Sequence, residues 1–164
     1  VGRHPGACHP VRVTRSRHRP GTLPSLQSSP YLSFLFQQNS WFTVGPIDGR
    51  AHRKGDATGF GDSVGHWEGD SLVVDTVNFN GKTRLDTIGH PHSEQLHLVQ
   101  RFSRPDLGHI TYEVTVEDPK TFTKPWKNVR TLTLRPDWEM MEYSCEENNK
   151  SLWEGGIKVP KYKP

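Results

Sequence analysis

The chain has little apolar material for its length. Only 32 % of its 164 residues are hydrophobic, so a core exists only where those residues are concentrated. No run approaches the roughly 18–20 apolar residues that cross a bilayer, which argues against membrane insertion. Cysteine is scarce: Cys8 and Cys145 are the only two. Without a CxxC pair, neither a zinc ribbon nor a thioredoxin-type redox motif is encoded. A bridge between the two would close a long loop and contribute on the order of 4 kcal/mol in an oxidising compartment, but Cys8 lies in a stretch with nothing to fold it.

Clustered charge is missing as well. The net charge of +3 is carried by the first thirty residues, which hold Arg3, Arg12, Arg15, Arg17 and Arg19 and no acid. The remaining 16 basic residues are interspersed with 18 acidic ones. A nucleic-acid footprint needs Lys and Arg gathered on one face, so nucleic acid is not an expected partner. Several catalytic signatures are also lacking. There is no GxSxG nucleophile elbow, no P-loop and no GxGxxG fingerprint. Ser63 and Ser93 lie beside histidines in sequence, but a triad is a spatial arrangement that adjacency does not establish.

Residues 1–30 mix Arg, His, Pro, Gly and Ser with no period of 2 or 3.6, which reads as a disordered or accidental tail. They show no positive segment followed by an apolar one, so they do not read as a signal peptide. Residues 31–149 form the expected single domain, and 150–164 a Lys- and Pro-rich extension.

Within 31–149 the signal is β. YLSFLF (31–36) and WFTVGPI (41–47) are short, aromatic and β-branched. DSVGHWE and SLVVDTV flank Gly69-Asp70, a hairpin signal. QLHLVQRFS and HITYEVTVE flank RPDLG, and in the second run Ile110, Tyr112, Val114 and Val116 alternate with polar residues, giving one face to a core and one to water. NVRTLTLR, the turn PDW and EMMEYSC complete a third predicted hairpin. Convincing amphipathic helices are absent; short turns of helix are expected only at TRLDTIG and SEQLHLV, the latter capped by Ser93. The fold expected is all-β, an antiparallel meander forming a calycin-like barrel or half-barrel with few short helices.

Three constellations could carry chemistry. The first is IGHPHSEQLH, where His90 and His92 are i and i+2 and share a face in an extended chain. With Glu94, or else His97 or Asp86, as a further donor they offer a set for a divalent metal, zinc or calcium. The run superficially resembles the HxHxDH of metallo-β-lactamase-fold hydrolases. Its acid is Glu94, however, His97 stands three positions after it rather than one, and the helices of that fold are missing. The plain alternative is a polar loop closed by Pro91. The second is WEGDSLVVDTVNFNGKTRLD, whose Asp70, Asp75, Asn78, Asn80 and Asp86 could hold calcium. It fails the EF-hand spacing, with threonines in the first and last places, and Asn80-Gly81 more simply turns the chain. The third is EDPKTFTKPW, in which Trp126, with Trp41, Trp67 and Trp138, could line a pocket at a barrel mouth or lie in the core.

Taken together, IDGR, GDSVGHWEGD, GHPHS, DP-x-T-x-TKPW and CEEN resemble the motifs of a large family of predicted exported proteins from soil bacteria with no settled function. The likeness runs from about Trp41 to Asn149, and it implies a periplasmic or secreted relative. It highlights Asp48 and Arg50, then His66, Trp67, Glu68 and Asp70, then His90, His92 and Ser93, and finally Asp118, Lys124 and Trp126.

Two functions follow as expectations, with a structural role as a third. One is a hydrolase of small esters or lactones, metal-assisted through His90, His92 and Glu94. In it His66, Glu68 and Asp118 supply acid–base chemistry, and Trp67, Lys124 and Trp126 hold the substrate. The other is a calycin-like protein that binds a small apolar ligand without catalysis. A third is a structural β domain that self-associates through its strand edges, a homo-oligomer.

Overall fold

The structure, a computed structural model, describes residues 23–37, 41–86 and 88–141. Among them are eight strands and no helix. β1 (Ser25–Ser28), β2 (Tyr31–Phe36) and β3 (Trp41–Pro46) form an antiparallel sheet in that order. β4 (Asp62–Glu68), β5 (Ser71–Val77), β6 (His97–Asp106), β7 (His109–Glu117) and β8 (Trp126–Thr133) form an antiparallel five-stranded meander. Its edges, β4 and β8, do not pair with each other, so the sheet is an open half-barrel or sandwich layer rather than a closed barrel.

The register of the meander assigns each side chain to a face. Leu72, Val74 and Thr76 lie opposite Phe102, Gln100 and Leu98, which lie opposite Tyr112, Val114 and Val116. All nine are buried, and this inward face receives Leu32, Phe34 and Phe36 of β2. The rings of Phe34 and Phe102 stack at 5.4 Å, and Phe102 lies 5.0 Å from Tyr112. Each large apolar side chain buried here contributes about 1.5–3 kcal/mol. A polar thread crosses the same layer. The Tyr112 hydroxyl donates to Gln100 Oε1 at 3.0 Å, Gln100 Nε2 donates to Thr76 Oγ1 at 3.3 Å, and Thr76 meets Ser63 Oγ at 2.9 Å. It ties four consecutive strands together in a low-dielectric interior and so fixes their register.

Between β3 and β4 the chain forms a strap over the β4 edge. Ile47 packs against the core, the Gly49 amide donates to the Gly65 carbonyl at 2.9 Å, and His52 reaches the outward face to meet Asp62 and Asp75. The strap then returns through a parallel bridge between Thr58 and Phe79. Edge strands left open are pairing hazards, and this crossing covers one of the two.

The sequence expectations need three corrections. Residues 25–28 were assigned to the tail but form β1, paired with β2 through Ser25–Phe34 and Ser28–Tyr31; the pattern SLQS carries no apolar alternation, and its order comes from its partner. The predicted helical turns at TRLDTIG and SEQLHLV are not helices among the described residues. Ser93 does accept the Gln95 amide at 3.0 Å, but its own amide goes to Asp118 and β6 begins four residues later. The first strand of the third hairpin forms earlier than expected, at Trp126–Thr133, while residues 142–145 of its expected second strand lie outside the described residues. Residues 134–141 carry no strand. Tyr143, Cys145 and Cys8, with most of the tail and the whole C-terminal extension, lie outside the described residues.

Candidate functional site

The inward face is not fully covered toward β8. There Trp126 lies opposite Val116, Asn128 opposite Val114 and Arg130 opposite Tyr112, so all three project over the face that elsewhere carries the core. Together with Leu85, Asp86, Ile88, His90 and Phe122 they surround a hollow of about 570 Å³ floored by Val114 and Val116. Phe122 and Trp126 meet edge to face with centroids 5.9 Å apart, a geometry favoured by the ring quadrupoles.

The polar group at this rim is a carboxylate–imidazole pair. Asp86 Oδ2 accepts from His90 Nδ1 at 2.5 Å, while Asp86 Oδ1 accepts from the amides of Gly89 (2.9 Å) and His90 (3.2 Å). Burial alone would raise the Asp86 pKa, but these donors outweigh it and hold the carboxyl below its usual range. With Nδ1–H committed to the carboxylate, Nε2 is the ring nitrogen that remains for a ligand or water. Leu85, whose amide donates to the His90 carbonyl at 2.9 Å, closes the small loop and buries its side chain in the core.

His92 takes a different path. It is buried, packed edge-on to Phe79 at 6.0 Å, and its Nδ1 donates to the Ser93 carbonyl at 2.6 Å. His90 and His92 therefore do not converge. Glu94, the third expected ligand, is exposed and ion-paired with Lys120. The expected donor set of His90, His92 and Glu94 is thus spread over three separate partners. Among the described residues no group of three or more His, Cys, Asp or Glu is arranged to hold a metal ion. Residues 89–93 belong to no strand, so the i, i+2 rule that puts two side chains of a strand on one face does not apply to this pair.

The expected acid–base residues also lie away from the hollow. His66 and Glu68 do meet, at 3.0 Å, and Glu68 accepts from Arg101 at 2.7 Å. Their register places them on the outward face. Asp118 is 2 % exposed and fully engaged. It accepts from the Ser93 amide and hydroxyl, both at 2.6 Å, from Thr121 Oγ1 at 2.9 Å and from the Lys120 amide at 3.2 Å. It is a clamp between the loop before β6 and the loop after β7. Of the expected substrate-binding residues, Trp126 lines the hollow, whereas Trp67, 49 % exposed, and Lys124 do not line it. Of the alternative calcium residues, Asn78 and Asn80 serve turns: Asn78, at φ 61°, donates to the Gly55 carbonyl at 3.0 Å, and Asn80 Oδ1 accepts the Lys82 amide at 3.1 Å.

A second polar assembly was not expected from sequence. On the outward face Asp62, His52, Asp75, His97 and Glu117 form an alternating row with successive separations of 3.0, 2.8, 2.7 and 3.2 Å. Arg53 adds an ion pair to Asp62 at 2.9 Å. Burial would lower the His97 pKa, but the carboxylates of Asp75 and Glu117 outweigh it and the pKa is raised. The hollow's Asp86–His90 pair had one sequence signal, an acid and a histidine four residues apart beside a glycine. The outward row had none, because its five members come from five separate segments, the strap and β4 to β7.

No family model, curated protein or solved structure matches the chain.

Proposed function

We propose that the protein binds a small, mostly apolar molecule in the hollow between β7, β8 and the 85–90 loop. The observation that carries this reading is the hollow itself. Its volume of about 570 Å³ and its lining of Val114, Val116, Leu85, Ile88, Phe122 and Trp126 match small-molecule sites, which run roughly 300–1,000 Å³ and set a few polar groups in apolar walls. The test is a thermal-shift and fluorescence titration with a neutral apolar dye. Wild type should bind saturably, and Asn128→Trp, which fills the hollow from the edge strand without entering the packed core, should abolish binding while leaving the fold intact. Undiminished binding by that variant would overturn the assignment.

A second reading, hydrolysis of a small ester or lactone, is favoured by the Asp86–His90 pair. A histidine held by a carboxylate at one nitrogen can use the other as general base toward a water. Under this reading p-nitrophenyl butyrate is turned over by wild type, and His90→Ala removes the activity while dye binding persists. Equal turnover by the two proteins would remove the catalytic role.

A further inference from the structure

The hollow carries one charge without a counterpart. Asp86, its single acid, is committed to His90 and Gly89. Arg130 also lines the hollow, and its Nε donates to Asn128 Oδ1 at 3.2 Å. That oxygen is neutral, so it orients the guanidinium without balancing its charge. Three other cations on or beside the sheet are paired with acids: Lys127 with Glu113 at 2.9 Å on the outward face, Arg101 with Glu68 at 2.7 Å and Arg53 with Asp62 at 2.9 Å; Arg104, away from the hollow, bonds the carbonyls of Asp106 and Leu107 instead. Among the described residues no carboxylate lies within ion-pair distance of Arg130.

A guanidinium over an apolar wall is a recognition element for an anion. It is weakly hydrated, always charged, and presents a planar fork that matches a carboxylate with two parallel hydrogen bonds. Here Arg130 lines the same hollow as Val114, Phe122 and Trp126, so one site offers both head-group and chain recognition. Among the described residues no second Lys or Arg lines the hollow and no helix is present, and a single fork suits a monoanion better than a phosphate. Resting on the binding reading above, we infer that the ligand is a carboxylate amphiphile, a medium-chain or aromatic acid. Its head is held by Arg130 and its body lies on Val114, Val116, Phe122 and Trp126. Arg130 is then the residue that sets specificity, and Asn128 positions it.

The full chain should be titrated calorimetrically with decanoate, decanol and methyl decanoate at low and high salt. Decanoate should bind about tenfold or more tightly than the neutral pair at low salt, the range of a charge-assisted bidentate contact, and the margin should narrow as salt rises. Arg130→Gln should erase the margin while decanol still binds, and Arg130→Lys should restore only part of it. Equal affinity for all three probes in wild type, or a margin that survives Arg130→Gln, overturns the head-group assignment and leaves the hollow as a neutral binding site. Binding of none of the three overturns both readings together.

Discussion

Asp118 is the most sharply defined energetic feature of the structure, and Asp118→Asn probes it with almost no change in shape. The carboxylate accepts two main-chain amides, from Ser93 and Lys120, and two hydroxyls, from Ser93 and Thr121. An asparagine keeps one acceptor oxygen and turns the other into a donor. The hydroxyls can rotate to receive that donor, but the amide facing it cannot. One buried amide therefore loses its acceptor, at about 1–3 kcal/mol, and the surviving bonds lose the charge that makes each worth roughly 1.5–3 rather than about 1 kcal/mol. The expected loss is about 2–4 kcal/mol, a fall in Tm of about 5–15 °C for a domain of this size. Its pH dependence has a definite sign. Burial would raise the Asp118 pKa, but the donors from Ser93, Thr121 and Lys120 outweigh it and the folded value lies below the usual one. The stabilisation is therefore present above the unfolded value, about 3.9, and is lost as pH falls through the folded value. Urea unfolding of both proteins from pH 3 to pH 7 should show a full difference at neutral pH that shrinks in acid. A variant within about 0.5 kcal/mol of wild type at pH 7, the range of ordinary surface changes, would refute the clamp.

Two further outcomes are expected. His97 has a raised folded pKa, so its pairing with Asp75 and Glu117 stabilises fully below the unfolded value of about 6.5 and fades as pH rises through the folded one. Since the ring is partly exposed, His97→Gln should cost about 0.5–1 kcal/mol near pH 5.5 and less at pH 9; a cost that grows with pH would contradict the row. Gly61, at φ 73°, has no room for a side chain, because a Cβ there would lie 2.6 Å from the Val77 carbonyl and 2.9 Å from Phe79. Gly61→Ala should lose about 2–3 kcal/mol by denaturation, whereas Gly69→Ala, at φ 58° in open space, should lose about 1 kcal/mol.

The strands were legible wherever alternation met a core. β7 appears as read because Tyr112, Val114 and Val116 alternate with polar residues, and the β4–β5 hairpin turns at Gly69 as its composition demanded. The sheet's openness was not legible, since closure depends on whether β4 and β8 meet, and no local pattern encodes that. At the site, Trp126 was found from its bulk beside Pro125. Val114 and Val116 were read as core, which they are, and their second use as a hollow floor depends on β8 presenting Asn128 and Arg130 where a large apolar residue would have filled the space. The HxH pattern misled because the i, i+2 rule holds for a strand, whereas residues 89–93 form none and each histidine bonds its own partner, Asp86 for His90 and the Ser93 carbonyl for His92.

The most direct measurement is a heteronuclear NMR titration with decanoate, following the Trp126 indole N–H and the methyl groups of Leu85, Ile88, Val114 and Val116. The account predicts saturable shifts at these groups, with the methyls of Leu26 and Val44 on the exposed face of the small sheet unmoved. Shifts confined to that outer face, or none at millimolar ligand, would contradict it.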